Sequence, residues 1–186
     1  MTEQSLLKNH FLIALPSLRD PNFARTVTYL CEHTPEGAMG IVVNRPSALT
    51  LEDILASMEI EPGPETPDLP VFNGGPVQPE RGFLLHSPAD RWQSTLEVTD
   101  EIAITTSRDI LQALAQGQGP DEVLIALGYA GWGPGQLERE LQQDSWLVAP
   151  ASLEIIFHTP VEERWAAAAA LTGVDLNLIT NTAGHA

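Results

Sequence analysis

DEVLIALGYAGWGPGQLERELQQ, residues 121–143, decides the fold class. Its first ten residues, 121–130, are an almost unbroken apolar run, as a strand buried on both faces requires. GWGPG then interrupts regular pairing, and QLERELQQ has the spacing of a short amphipathic helix. A central strand covered on both sides, turning sharply into a helix, belongs to a sheet with helices packed against it.

Strand patterns lie upstream of this unit. Residues 10–15 (HFLIAL) are apolar and stop at Pro16, and LRDPNF (18–23) carries turn chemistry. TVTYLCE (26–32) is β-branched and aromatic, HTPEG (33–37) reads as a hairpin loop, and AMGIVVN (38–44) returns until Arg45 and Pro46 stop it. Thr50 and Asp53 have capping-box spacing ahead of a helix whose apolar face is Leu51, Ile54, Leu55 and Met58. EPGPETPDLP (61–70) is too rich in proline to pair and reads as a surface loop inserted within one domain, 1–186.

Strands are expected again at 71–72, 82–86, 95–98, 101–105, 146–150 and 153–158. Ser107 is placed to cap a helix reaching Gln116, with Gly117 just past its end. Thr159 as cap, Pro160 in the first turn and Glu162 open a last helix, which Gly173 ends. No repeat or heptad occurs, and strands and helices do not alternate regularly. The expectation is an α+β fold with a mixed, largely antiparallel sheet and about four surrounding helices.

Charge restricts function. Nine Lys and Arg face 25 Asp and Glu, a formal charge of −16, and Lys8 is the only lysine. Nucleic-acid and anionic-membrane affinity come largely from basic side chains, so direct nucleic-acid binding is disfavoured. The apolar run at 11–15 is far too short to span a bilayer and has no basic leader. With one cysteine, Cys31, no intramolecular disulfide can form; a reducing, cytoplasmic setting is expected. P-loop, G-x-S-x-G and H-E-x-x-H motifs are absent.

Candidate chemistry gathers at a few places. In 128–140, four glycines between strand and helix could bare backbone N–H groups to an anion, although Glu138 in the first turn could take those donors itself. FNGGP (72–76) reads as a hairpin or bulge or as one wall of a pocket. Cys31 and His33, two apart on a strand, would share a face, but at about 7 Å they are too far apart for a direct bond. His33, His86 and His158 fall at expected strand ends, where a metal site or satisfied histidines are both open. Arg45, just after a strand, is a candidate anion anchor.

The stretches FLIALPSLRDPNFARTVTYLCEH, GAMGIVVNRP, VFNGGPVQPERGFLLH and LGYAGWGPGQLERELQQDSWL resemble the AlgH/YqgE family, with a looser match from LEIIFHTP to the terminal AGHA. The resemblance implies an α+β fold with a partly barrel-like sheet, a bacterial cytosolic protein and a part in regulating alginate production and virulence traits. The family's signature falls on His33, Asn44, Arg45, Gly74, Gly75, His86, Tyr129, Gly131, Trp132, Gly135, Gln136 and Glu138. Its pattern demands no cysteine at Cys31, and it often has aspartate where His158 stands. These residues are expected to line a pocket for a small anionic ligand, with no cofactor or metal. The rival readings are an enzyme using His33 or His86 as general base and a protein-interaction module whose partner patch is Trp132 and Trp146.

Overall fold

The structure, a computed structural model, describes residues 7–21 and 23–174. The looser resemblance to the terminal AGHA lies outside them. One sheet organises the chain. Its strands are β1 (His10–Ala14), β2 (Val27–Thr34), β3 (Gly37–Val42), β4 (Pro46–Thr50), β5 (Pro70–Asn73), β6 (Val77–Ser87), β7 (Thr95–Glu97), β8 (Ala103–Thr105), β9 (Glu122–Trp132) and β10 (Trp146–Pro150). They run in the order β10-β1-β2-β3-β9-β6-β8-β7, with β4 and β5 branching from β9. Every pairing is antiparallel except β5 beside β9. The result is an α+β fold whose sheet curls into a half-barrel.

β9 is central, as its sequence requires. Its first half lies between β5 and β6, and its second half pairs with β3 through Ala38–Gly40. Leu124 and Ala126 face the concave core with Phe11, Tyr29, Ile41 and Phe83. Ile125 faces the opposite side, against α1 (Leu51–Ser57) and α2 (Arg108–Ala115). Farther along, Ala130 and Trp132 join a third cluster under α3 (Gln136–Gln142). The concave side is closed by α4 (Leu153–Phe157) and α5 (Arg164–Ala170). No described helix is long and apolar enough to cross a membrane.

Several local expectations hold in detail. Asp53 Oδ2 accepts the Thr50 N–H at 2.8 Å, closing the box ahead of α1. Gly117 has φ 71°, as a residue ending a helix in the left-handed region does. Others need correction. Residues 153–158, expected as a strand, form α4: Ser152 Oγ accepts the Ile155 N–H, and a five-residue apolar run is equally compatible with either element. His158 therefore follows a helix instead of ending a strand.

β3 does stop ahead of Arg45 and Pro46, at Val42, but Pro46 then begins a further strand, β4, which pairs only with β5. Ser107 stands at the start of α2, yet its hydroxyl donates to Asp109 Oδ1 at 2.6 Å instead of accepting a helix N–H. Thr159 bonds back to the Glu154 carbonyl, Val161–Glu163 form a 3-10 turn, and α5 starts only at Arg164. Finally, β2 bulges between Leu30 and Glu32. Cys31 turns into the concave core while His33 reaches α3, so the two do not share a face.

Candidate functional site

A depression of about 690 Å³ opens where the concave core meets solvent. Four strands build it. β2 supplies Glu32 and Thr34, β3 supplies Gly37 and Met39, β6 supplies Arg81 and Phe83, and β9 supplies Tyr129, Gly131 and Trp132. Phe83 and Tyr129 meet edge to face at 5.5 Å and form an aromatic floor. The Arg81 guanidinium lies 5.5 Å from the Phe83 ring centre and donates to Gln78 Oε1 at 3.3 Å. Exposed Glu32 and Glu36 share the lining with Arg81. The cleft thus offers charges of both signs around an apolar floor that continues past Met39 and Phe83 toward Leu96 and Ile104.

The glycine-rich corner after β9 is knotted instead of open. Gln136 Oε1 accepts the Gly133 N–H at 2.9 Å, and Gly135 enters α3 at φ 73°. Glu140 Oε1 accepts both indole N–H groups, from Trp132 at 3.0 Å and Trp146 at 2.9 Å, while its Oε2 accepts from Gln136. Trp132 and Trp146 are each only 5% exposed, so they form no outward patch. Phe23 wedges against both rings, at 6.0 and 5.6 Å.

Glu138 turns to the sheet, where His33 Nε2 donates to its Oε2 at 2.9 Å. Its own backbone N–H, more than His33, holds the Glu138 carboxyl below its ordinary range. His33 is buried, and its Nδ1 has no hydrogen-bond partner among the described residues.

The remaining expected site residues take other places. His86 is fully buried: its Nδ1 donates to the Pro88 carbonyl at 3.0 Å, which leaves Nε2 to accept from Thr105 Oγ1 at 2.7 Å. Burial pushes its pKa down, so it stays neutral and structural. Gly74 and Gly75 cross the backbone of β9. A side chain at Gly75 would meet the Tyr129 carbonyl oxygen at 2.2 Å, and one at Gly128 the Gly75 carbonyl at 2.3 Å.

Asn44 and Arg45 act as braces. Asn44 Oδ1 accepts the Val27 N–H and its Nδ2 donates to the Arg25 carbonyl. Arg45 donates to the carbonyls of Pro21 at 2.7 Å and Ala24 at 2.9 Å. The structure therefore brings Tyr129, Gly131 and Trp132 to the cleft, with His33, Gln136 and Glu138 behind it. It leaves His86, Asn44, Arg45, Gly74 and Gly75 elsewhere.

The one hydroxyl set against a histidine ring among the described residues, Thr105 Oγ1 on His86 Nε2, is fully buried and away from the cleft. Burial raises the Cys31 thiol far above its ordinary pKa, so it is not a thiolate. His158 pairs with Glu122, and no metal-holding cluster exists among the described residues. Sequence reading did not single out Arg81, Met39 and Phe83, although they lie within the family-like stretches, because they meet only where β3 and β6 both border β9.

Fold and cleft define a class: a curled half-barrel of α+β type with a ligand-sized opening on its concave side. The chain belongs to the AlgH-like family, which matches residues 11–177. It is 56% identical over 186 residues to a UPF0301 protein of Thioalkalivibrio sulfidiphilus, covering 100% of both chains. With a UPF0301 protein of Methylococcus capsulatus it shares 58% over 185 residues, 99% of this chain and 98% of the other. The solution structure of the AlgH protein from Pseudomonas aeruginosa superposes with a TM-score of 0.80 at 53% identity, covering 94% of this chain and 93% of that one. A crystal structure from Corynebacterium diphtheriae shares the fold at a TM-score of 0.68 and 20% identity, covering 90% and 92%.

Proposed function

We propose that this chain is a ligand-binding regulatory protein of the bacterial cytosol. It would bind a small molecule in the concave cleft and act on gene expression indirectly, through the liganded protein. The observation that carries the reading is the cleft itself. Its volume of about 690 Å³ lies within the range of small-molecule sites, and a few polar groups converge on an apolar floor. Arg81 would meet an anionic group, Thr34 and Gln78 would supply hydrogen bonds, and Met39, Phe83 and Tyr129 would take the apolar part. A chain of net charge −16 is poorly suited to touching DNA directly, which is why the regulatory step is indirect.

Gly131 provides a clean test. A Cβ added there would meet only the Tyr129 ring at 3.4 Å and Val77 at 3.9 Å, so a larger residue fits the backbone and fills the cleft. The purified chain is screened by thermal shift against nucleotides, sugar phosphates and organic acids. A ligand at 100 times its Kd should add about 2.7 kcal/mol of stability. Gly131→Leu and Arg81→Gln are expected to abolish that shift while the unliganded protein melts as before. A ligand whose shift survives both substitutions binds elsewhere, and the reading fails.

A further inference from the structure

A second site of opposite character lies at the other side of Phe23. Four of the eight arginines gather at this corner of a strongly acidic chain. Arg19 and Arg25 line a depression of about 350 Å³ with Pro16, Leu18, Ala24 and Trp165. Arg45 is bonded to the same loop, and Arg164, next to Trp165, donates to the Val43 carbonyl at 2.6 Å. No carboxylate lines the depression, and neither Arg19 nor Arg25 has a carboxylate partner among the described residues. Asp20, the loop's one acid, is not part of the lining.

Arg25 is held in place before any ligand arrives. Arg25 adopts φ 60°, a left-handed conformation that side-chain-bearing residues seldom take. It is kept there by its neighbours: Asn44 Nδ2 donates to its carbonyl at 3.0 Å, and Thr26 Oγ1 donates to the Phe23 carbonyl at 2.6 Å. The Arg25 guanidinium lies 4.8 Å from the Trp165 ring centre. That ring is fixed in turn because Trp165 Nε1 donates to the Ala14 carbonyl at 2.8 Å. An Arg25 braced in this way loses less conformational entropy on capture, which favours binding.

We infer that this depression is a binding site for a small phosphomonoester, with Arg19 and Arg25 gripping the phosphate and Pro16 and Leu18 beside its organic remainder. Guanidinium forks match phosphate oxygens bidentately. A phosphomonoester concentrates nearly two negative charges on one group at neutral pH, matching two adjacent arginines where a single carboxylate would engage one. The chain's overall negative charge does not forbid this, because distant charges are screened over about 8 Å at physiological salt.

The test is an NMR titration of the ¹⁵N-labelled full chain at fixed ionic strength, first with inorganic phosphate, then with glycerol phosphate, then with acetate. Glycerol phosphate is expected to give saturable shifts at Arg19, Arg25 and the Trp165 indole, and to bind more tightly than inorganic phosphate. The exposed pair Arg19→Gln with Arg25→Gln should weaken it by about tenfold or more, whereas Arg91→Gln, an equal change of charge per site at an exposed position outside both depressions, should change it by less than about twofold. Asn44→Ala keeps every arginine but releases the Arg25 carbonyl, and should weaken binding as well. Four results would overturn the assignment: no saturation through the millimolar range, equal losses for Arg91→Gln, tighter binding of inorganic phosphate than of the ester, or acetate binding as tightly as glycerol phosphate.

Discussion

Two corners of the molecule meet across the ring of Phe23, and they treat their polar groups in opposite ways. The corner from β9 into α3 looks in sequence like an anion cradle, with glycines ahead of a helix. In the fold its own side chains have taken much of what it could offer: Gln136 takes the Gly133 N–H, Glu138 takes its own, and Glu140 takes both indoles. The loop 16–25 looks like an ordinary turn. In the fold, Asn44 and Arg45 occupy its carbonyls, and its two exposed arginines face a shared depression. A loop braced from behind keeps its side chains for solvent or a ligand, whereas a loop that braces itself uses them up.

The largest effect should come from removing the indole on which Phe23, the ring between the corners, packs. Trp132→Ala deletes a buried indole that packs on Phe23 and Trp146 and donates to Glu140. A loss of about 3–5 kcal/mol is expected in urea unfolding, with hydrogen exchange rising in both corners. A loss below about 1 kcal/mol would mean the two corners stand independently.

Arg45→Met should be milder and one-sided. It removes two charged hydrogen bonds to Pro21 and Ala24 but leaves the Glu140 knot untouched. The expected cost is about 1–3 kcal/mol. Faster exchange at the Ala24 N–H, which bonds the Asp20 carbonyl at 2.7 Å, should accompany it while α3 keeps its protection. Equal loosening of α3 would break the contrast drawn between the corners.

Much of the architecture was legible because it depends on local pattern. The run 121–130 is the central strand, the Thr50–Asp53 box opens α1, and Gly117 ends α2. What was hidden depends on contacts distant in sequence. The short run 153–157 carries no period able to choose helix over strand, and only its docking on the concave core settles it. The bulge at Cys31 reverses which face His33 occupies, and no residue type announces it. For the same reason the cleft could be named only on its β9 side. Arg81 and Met39 become neighbours through strand order, and Arg25 meets Trp165 only because α5 docks beside β1 and β2.

The smallest effect sharpens the comparison by titration. Within the self-braced corner, Glu138 is the one carboxylate tied both to its own backbone and to the sheet through His33. Its folded carboxyl sits below the ordinary value of 4.5, so it binds its proton less readily folded than unfolded. Such a group adds stability above about pH 4.5 and loses it as pH falls through the lower folded value. The Glu138 side chain is 49% exposed and well screened, so the contribution should be under about 1 kcal/mol. Melting curves of the parent and Glu138→Gln should therefore differ slightly at neutral pH and converge in acid. A difference that persists below the folded pKa would show that Glu138 acts through packing and not through charge. In that case the His33 contact would have to be reinterpreted as a shape fit between β2 and α3.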